Sequence, residues 1–296
     1  MIISGVSVQG TAHLATGQGP QDAFKAIDLG DTAVLAVADG ASSRDRSALG
    51  AHIAVDAACR LLAQDIPDGE EPPEAWTRWI AGRGARVVEE YLRAVSGVLG
   101  TDPSSDTGAG SVSDPSSGTS SSTPSDTGPA NGARTGSDTG PATGSADPGA
   151  LAATLTAALV KPPWTAFVSI GDGFGTLLTR DDRCHLVLPP PTAPPTFLSS
   201  PGAALRVRTF VVWEPELGGV VLSTDGCAPL TLDHPSVRQL PPEAGPLPAE
   251  RFFRGLTATL RENQGDAEPL RRWLSGPEAA RTGDDLTILC ALVEEG

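Results

Sequence analysis

Three apolar runs of β-strand character each end at an Asp-Gly pair, and that repetition narrows the available folds sharply. Residues 32–38 precede Asp39-Gly40, residues 166–171 precede Asp172-Gly173, and residues 219–224 precede Asp225-Gly226. An apolar run of this length is a strand buried on both faces. An acid at its end stands at the rim of a sheet, and the glycine lets the backbone turn beside it. A fourth acidic step, Gly283-Asp284-Asp285, leads into the apolar run 286–293. Singly, each Asp reads as an ordinary turn residue. Together they gather carboxylates at one edge of a β core, and hard divalent cations take that donor set.

The remaining pattern supplies the layers. Residues 1–9, 23–29, 151–160, 173–180, 185–188 and 206–212 also read as strands, with 11–21 as a loop. Asp181-Asp182-Arg183 predicts a hairpin turn, and 206–212 with 219–223 predict another antiparallel pair. Ala48, Ala51, Val55, Ala58 and Leu62 are spaced as one face of a helix, with Ser42 or Ser43 to cap it. After a proline-rich break at 67–73, Val87, Val88, Tyr91, Leu92 and Val95 mark a second helix. Helical spacing returns at 250–261 and 268–274. Strands mostly follow one another directly, which favours α+β layering, with antiparallel sheets packed together and helices outside.

About fifty residues cannot join that core. From about 100 to 149 the chain is almost wholly Ser, Thr, Gly, Asp, Pro and Ala, with Ser-Asp-Thr-Gly at Ser105, Ser125 and Ser137. Ordering each would cost roughly 1–2 kcal/mol of backbone entropy with no apolar burial to offset it. A disordered insertion within a single domain spanning 1–296 is expected. The net charge of −15 and the absence of a Lys/Arg cluster argue against nucleic-acid binding. No run approaches the roughly 20 apolar residues of a membrane span. Four scattered cysteines and a start without an export signal point to free thiols in a reducing cytoplasm. The five tryptophans read as core anchors or helix-sheet contacts, and His52 with Asp56 as a surface pair.

The order Gln21-Asp22-Ala23, Val37-Ala38-Asp39-Gly40, Gly171-Asp172-Gly173, Ser223-Thr224-Asp225-Gly226 and Gly283-Asp284-Asp285-Leu286-Thr287 resembles the metal-dependent protein phosphatases of the PP2C (PPM) class. The stretch from His13 to Ala51 is most similar to the bacterial branch. The resemblance implies a β-sandwich flanked by helices on both faces, with metal at one end. Carried over by residue, Asp39 would bridge two magnesium or manganese ions, completed by the Gly40 carbonyl. Asp225 and Asp284 would hold one of the pair, Asp172 a third, weaker ion, and Asp22 would orient metal-bound waters. The implied activity is hydrolysis of phosphoserine and phosphothreonine esters by an activated water. The implied partner is a phosphoprotein, with a Ser/Thr kinase acting in opposition, and the enzyme is expected as a monomer.

Three departures stand out. Gln21 replaces the family's usual Glu, Ala41 stands where eukaryotic members carry a histidine, and residues 11–20 lack the phosphate-gripping Arg. His13 is then the candidate acid, and Arg44 or Arg46 the candidate phosphate ligand. Asp285, in the place of an Asn, is an extra carboxylate near the metals or simply a solvated acid at a strand start. The competing reading is a regulatory or binding module of the same fold with little phosphatase activity. A haloacid-dehalogenase-type enzyme is excluded, because Asp39-Gly40-Ala41 lacks its second Asp.

Overall fold

The computed structural model describes residues 1–44, 46–100, 147–191 and 193–294. Most of the expected insertion, 101–146, lies outside the described residues. The strands, in chain order, are β1 (Ile2–Val8), β2 (Ala23–Asp28), β3 (Ala33–Ala38), β4 (Leu155–Lys161), β5 (Trp164–Ile170), β6 (Phe174–Thr179), β7 (Cys184–Leu188), β8 (Arg208–Trp213), β9 (Leu217–Ser223), the two-residue β10 (Leu232–Asp233) and β11 (Leu247–Pro248), and β12 (Leu286–Leu292). The helices are α1 (Thr11–Thr16), α2 (Ser47–Leu62), α3 (Pro73–Leu99), α4 (Ala228–Thr231), α5 (Glu250–Glu262) and α6 (Glu268–Leu274).

Two five-stranded sheets, ordered β1-β12-β9-β6-β7 and β2-β3-β4-β5-β8, carry the fold. Every pairing in them is antiparallel. Side-chain parity explains why the central strands are apolar on both faces. On β3, Ala33, Leu35 and Val37 enter the core between the sheets with Phe167, Leu177, Leu222 and Leu289. Val34, Ala36 and Ala38 point the other way, onto Ala51, Val55 and Leu62 of α2 and Tyr91 of α3. The opposite sheet repeats the scheme. Leu289 and Ala291 of β12 face inward, while Ile288, Cys290 and Leu292 meet Phe253, Leu260 and Leu274 of α5 and α6. The α+β sandwich flanked by helices on both faces is therefore as the sequence implied. Each Leu or Phe so enclosed stabilises it by roughly 1.5–3 kcal/mol.

Several local expectations are corrected. Residues 11–16 form α1 rather than a loop; its N-cap, Gly10, offers no side-chain bond to announce it. Ser42 and Ser43 do not cap α2, which begins at Ser47 after Arg46, and the Ser47 hydroxyl donates to the Arg44 carbonyl. Strand β4 starts only at Leu155, because Pro148–Leu151 is a 3-10 turn. Strands β8 and β9 are not a pair. Half-exposed β8 takes a sheet edge beside β5, while fully buried β9 needs neighbours on both sides and sits between β6 and β12. Trp76 and Trp164 stack in the core at 5.3 Å, but Trp213 and Trp273 are exposed. Leu92, expected on the buried face of α3, is also exposed. Asp56 pairs with Lys25 and Arg60 rather than His52.

Residues 147–154 are pinned against the start of α2. Ala41 N donates to Ala152 O, Arg46 N to Ala150 O, and the Tyr91 hydroxyl to Leu151 O. A Cβ on Gly50 of α2 would lie 1.9 Å from the Leu151 carbonyl oxygen. Helix propensity alone predicts that Gly50→Ala gains about 1 kcal/mol. The close approach reverses the sign: Gly50→Ala should lose about 1–3 kcal/mol in urea unfolding, the usual cost of overpacking. A stabilised variant would show that this approach is not close in solution.

Candidate metal centre

Four acids that flank strands lie at one rim of the sandwich. Asp39 follows β3, Asp172 lies between β5 and β6, Asp225 follows β9, and Asp284 precedes β12. One carboxylate oxygen from each of Asp39, Asp172 and Asp225 lies within 4.8 Å of the others. Asp284 is outside that set, yet its charge acts on all three. Backbone ties fix the geometry. Asp39 N donates to Thr154 Oγ1 at 3.0 Å, and Thr154 N returns to Asp39 O at 2.8 Å. Gly226 is required beside Asp225, since a Cβ there would lie 2.1 Å from the Asp285 carbonyl oxygen.

Asp22 is buried behind this rim and accepts from Thr224 Oγ1 at 2.8 Å. The same hydroxyl receives Thr287 N at 3.2 Å, so β9 and β12 together seat the Asp22 carboxylate. Gln21 is buried, with Oε1 lacking a partner among the described residues. Asp172 Oδ1 is likewise buried and without a partner among them. Unpaired buried oxygens beside clustered acids fit a cation rather than a second protein donor.

The electrostatics agree. Burial first, then the carboxylates of Asp22, Asp225, Asp284 and Asp172, push Asp39 up to about 10. Burial raises Asp22 to about 7, against hydrogen bonds from Thr287 and Thr224 that lower it. Asp225 rises to about 6 through burial and then the Asp172 and Asp284 charges, and Asp172 is raised chiefly by burial. Two such charges within 4.8 Å repel by about 3 kcal/mol at an effective dielectric near 20. A divalent cation turns that repulsion into attraction.

The other sequence-derived residues fall as follows. Gly40 sits at the rim and gives its N–H to Gln21 O at 3.2 Å. Arg44 is half exposed and faces Asp147 at 3.7 Å. His13 is buried in α1, with Nδ1 2.9 Å from Asp285 Oδ1. Asp285 is the clearest correction: it is 1% exposed, not a solvated acid. Its position shares parity with Thr287, Leu289 and Ala291, the inward row of β12, and that parity was the overlooked signal.

A family profile described as Protein phosphatase 2C matches residues 9–275. A comparison with curated proteins gave no match. Among solved structures, a point-mutant form of a bacterial serine phosphatase superposes with a TM-score of 0.54 at 10% identity, covering 99% of each chain. A bacterial serine phosphatase without a mutation gives 0.52 at 9% identity, over 100% of this chain and 99% of that one. Serine/threonine phosphatase Stp1 from Staphylococcus aureus gives 0.51 at 10% identity, over 100% of this chain and 96% of that one.

The raised acids make stability depend on pH in the metal-free protein. A carboxyl with a folded pKa above its unfolded value binds more protons when folded, so its contribution fades as pH rises. Between about pH 5 and about pH 8, passing the values of Asp225 and Asp22, the melting temperature in EDTA should fall. Manganese should restore more at the upper pH than at the lower. Melts that are flat with pH, with and without metal, would count against this crowding. With fold, acid cluster and profile in agreement, the chain belongs to the protein phosphatase 2C family.

Proposed function

We propose that this chain is a metal-dependent phosphatase that hydrolyses phosphoserine and phosphothreonine esters on a partner protein, built as one domain interrupted at about 100–149. The convergence of Asp39, Asp172 and Asp225 at one rim carries this reading. Asp39 and the Gly40 carbonyl, with Asp225 and Asp284, are the residues that would hold a pair of manganese or magnesium ions. Asp172 would serve a third ion, and Asp22 would orient water from its buried seat. Bound cations there supply charge against the phosphoryl oxygens and bring the pKa of a water toward neutrality.

The protein's own groups do the rest. Arg44 is held to Asp147 only by an exposed pair at 3.7 Å, worth about 0–1 kcal/mol, and exchanges that partner for a phosphate oxygen. His13 commits Nδ1 to Asp285, so a proton given to the leaving alkoxide comes from Nε2. The four free cysteines support a reducing cytoplasm, where the monomeric enzyme opposes a Ser/Thr kinase. No helix among the described residues is long and apolar enough to cross a membrane.

Purified protein should hydrolyse p-nitrophenyl phosphate and a phosphothreonine peptide with manganese, and EDTA should stop it. Asp39→Ala and Asp225→Ala should each lower turnover by at least about a hundredfold, the upper end of losses seen for groups outside the ligand set. Wild-type rates in both variants would refute the site. Manganese binding without turnover on any phosphopeptide would favour a regulatory module instead.

A further inference from the structure

Asp285 is buried, yet it neither belongs to the close acid cluster nor faces solvent. Its carboxylate collects three donors from one segment. Gly10 N donates to Oδ1 at 2.6 Å, Gln21 N to Oδ2 at 2.5 Å, and His13 Nδ1 lies 2.9 Å from Oδ1. Three bonds from positions 10, 13 and 21 close the whole α1 excursion onto the start of β12. A second tie, Ala12 N to Gly283 O at 2.9 Å, runs alongside.

The geometry points to Asp285 as a positioning residue for the metal centre, acting through the backbone of Gln21. Gln21 gives its N–H to Asp285, and its carbonyl accepts from Gly40 N at 3.2 Å, so one residue spans the distance from β12 to the Asp39-Gly40 turn. The next residue is Asp22, whose carboxylate is seated by Thr224. On the other side, Asp285 N donates to Asp284 Oδ1 at 2.9 Å and so aims that acid. Asp285 thereby sets the relative positions of Asp22, Gly40 and Asp284, three groups from separate stretches. With Nδ1–H directed at the carboxylate, the His13 ring is also held in one tautomer and one orientation.

The side-chain chemistry explains why an Asn would not substitute. Both Asp285 oxygens are acceptors for N–H groups; an amide would turn one of them into a donor facing a donor. Leaving a buried donor unpaired costs the full desolvation of that group.

This inference rests on the metal-dependent phosphatase reading, and its test separates the two. Manganese binding is measured by titration calorimetry on full-length wild type, Asp285→Asn, His13→Leu and His13→Asn, with kcat and KM on a phosphothreonine peptide and circular-dichroism melts alongside. Asp285→Asn should remain folded and bind manganese about 10–100-fold more weakly, the usual effect of losing a group that orients metal ligands. Its kcat at saturating metal should fall while peptide KM stays within about twofold, since the substrate is not touched. His13→Leu should weaken manganese binding, and His13→Asn, which keeps an N–H for Asp285, should recover most of that affinity. Wild-type manganese affinity in Asp285→Asn overturns the assignment while leaving the phosphatase reading intact. If Asp285→Asn fails to fold, equal manganese affinities in His13→Leu and His13→Asn overturn it. A wild-type protein that neither binds manganese nor turns over removes the underlying reading and the inference with it.

Discussion

Mutual repulsion, held in check by backbone hydrogen bonds, governs the working end of this molecule. Asp39, Asp172, Asp225 and Asp284 come from four separated stretches, and nothing in their own chemistry favours meeting. The antiparallel ladders bring them together, because each acid sits one or two residues beyond a strand whose register is fixed by its neighbours. The apolar layers supply the free energy that makes such crowding tolerable.

Burial on two faces made the central strands readable from sequence. A strand between a helix layer and another sheet has no polar side, so β3, β5, β9 and β12 survive as unbroken apolar runs with an acid at one end. The acid cluster was legible for the same reason. Pairing was not. The link from β8 to β9 is as short as a hairpin, yet the chain changes sheets there. Only the unequal burial of the two strands tells which sheet each joins. Helix α1 escaped notice because it is short and begins at a glycine without a capping side chain.

Asp285 shows a different kind of failure. Adjacency to Asp284 made it look like one more surface acid, whereas period-two counting back from Ala291 and Leu289 puts it on the inward face. A carboxylate on that face must find donors, and the segment from Gly10 to Gln21 provides them. In this chain Asp285 takes one of those donors from His13 of α1. Gln21 invites the same caution. Beside its neutral side chain, its backbone joins Asp285 to Gly40.

Double-sided burial also leaves the register of β3 weakly marked by its own side chains. Its two faces, Ala33, Leu35 and Val37 against Val34, Ala36 and Ala38, differ in bulk but not in polarity. Within the strand a shifted pairing exchanges one apolar residue for another, and the opposing signal comes from Asp31 and Asp39 beyond its ends, either of which a slip of two residues would draw into the row of Ala33, Leu35 and Val37. A slip of two residues would carry Asp39 about 6.8 Å along the sheet, well past the span its cluster allows. The secondary-structure content of such a chain would be nearly unchanged, with Asp39 moved out of reach of Asp172 and Asp225. The spacing of those three acids is thus a stricter gauge of correct threading than any measure of secondary structure.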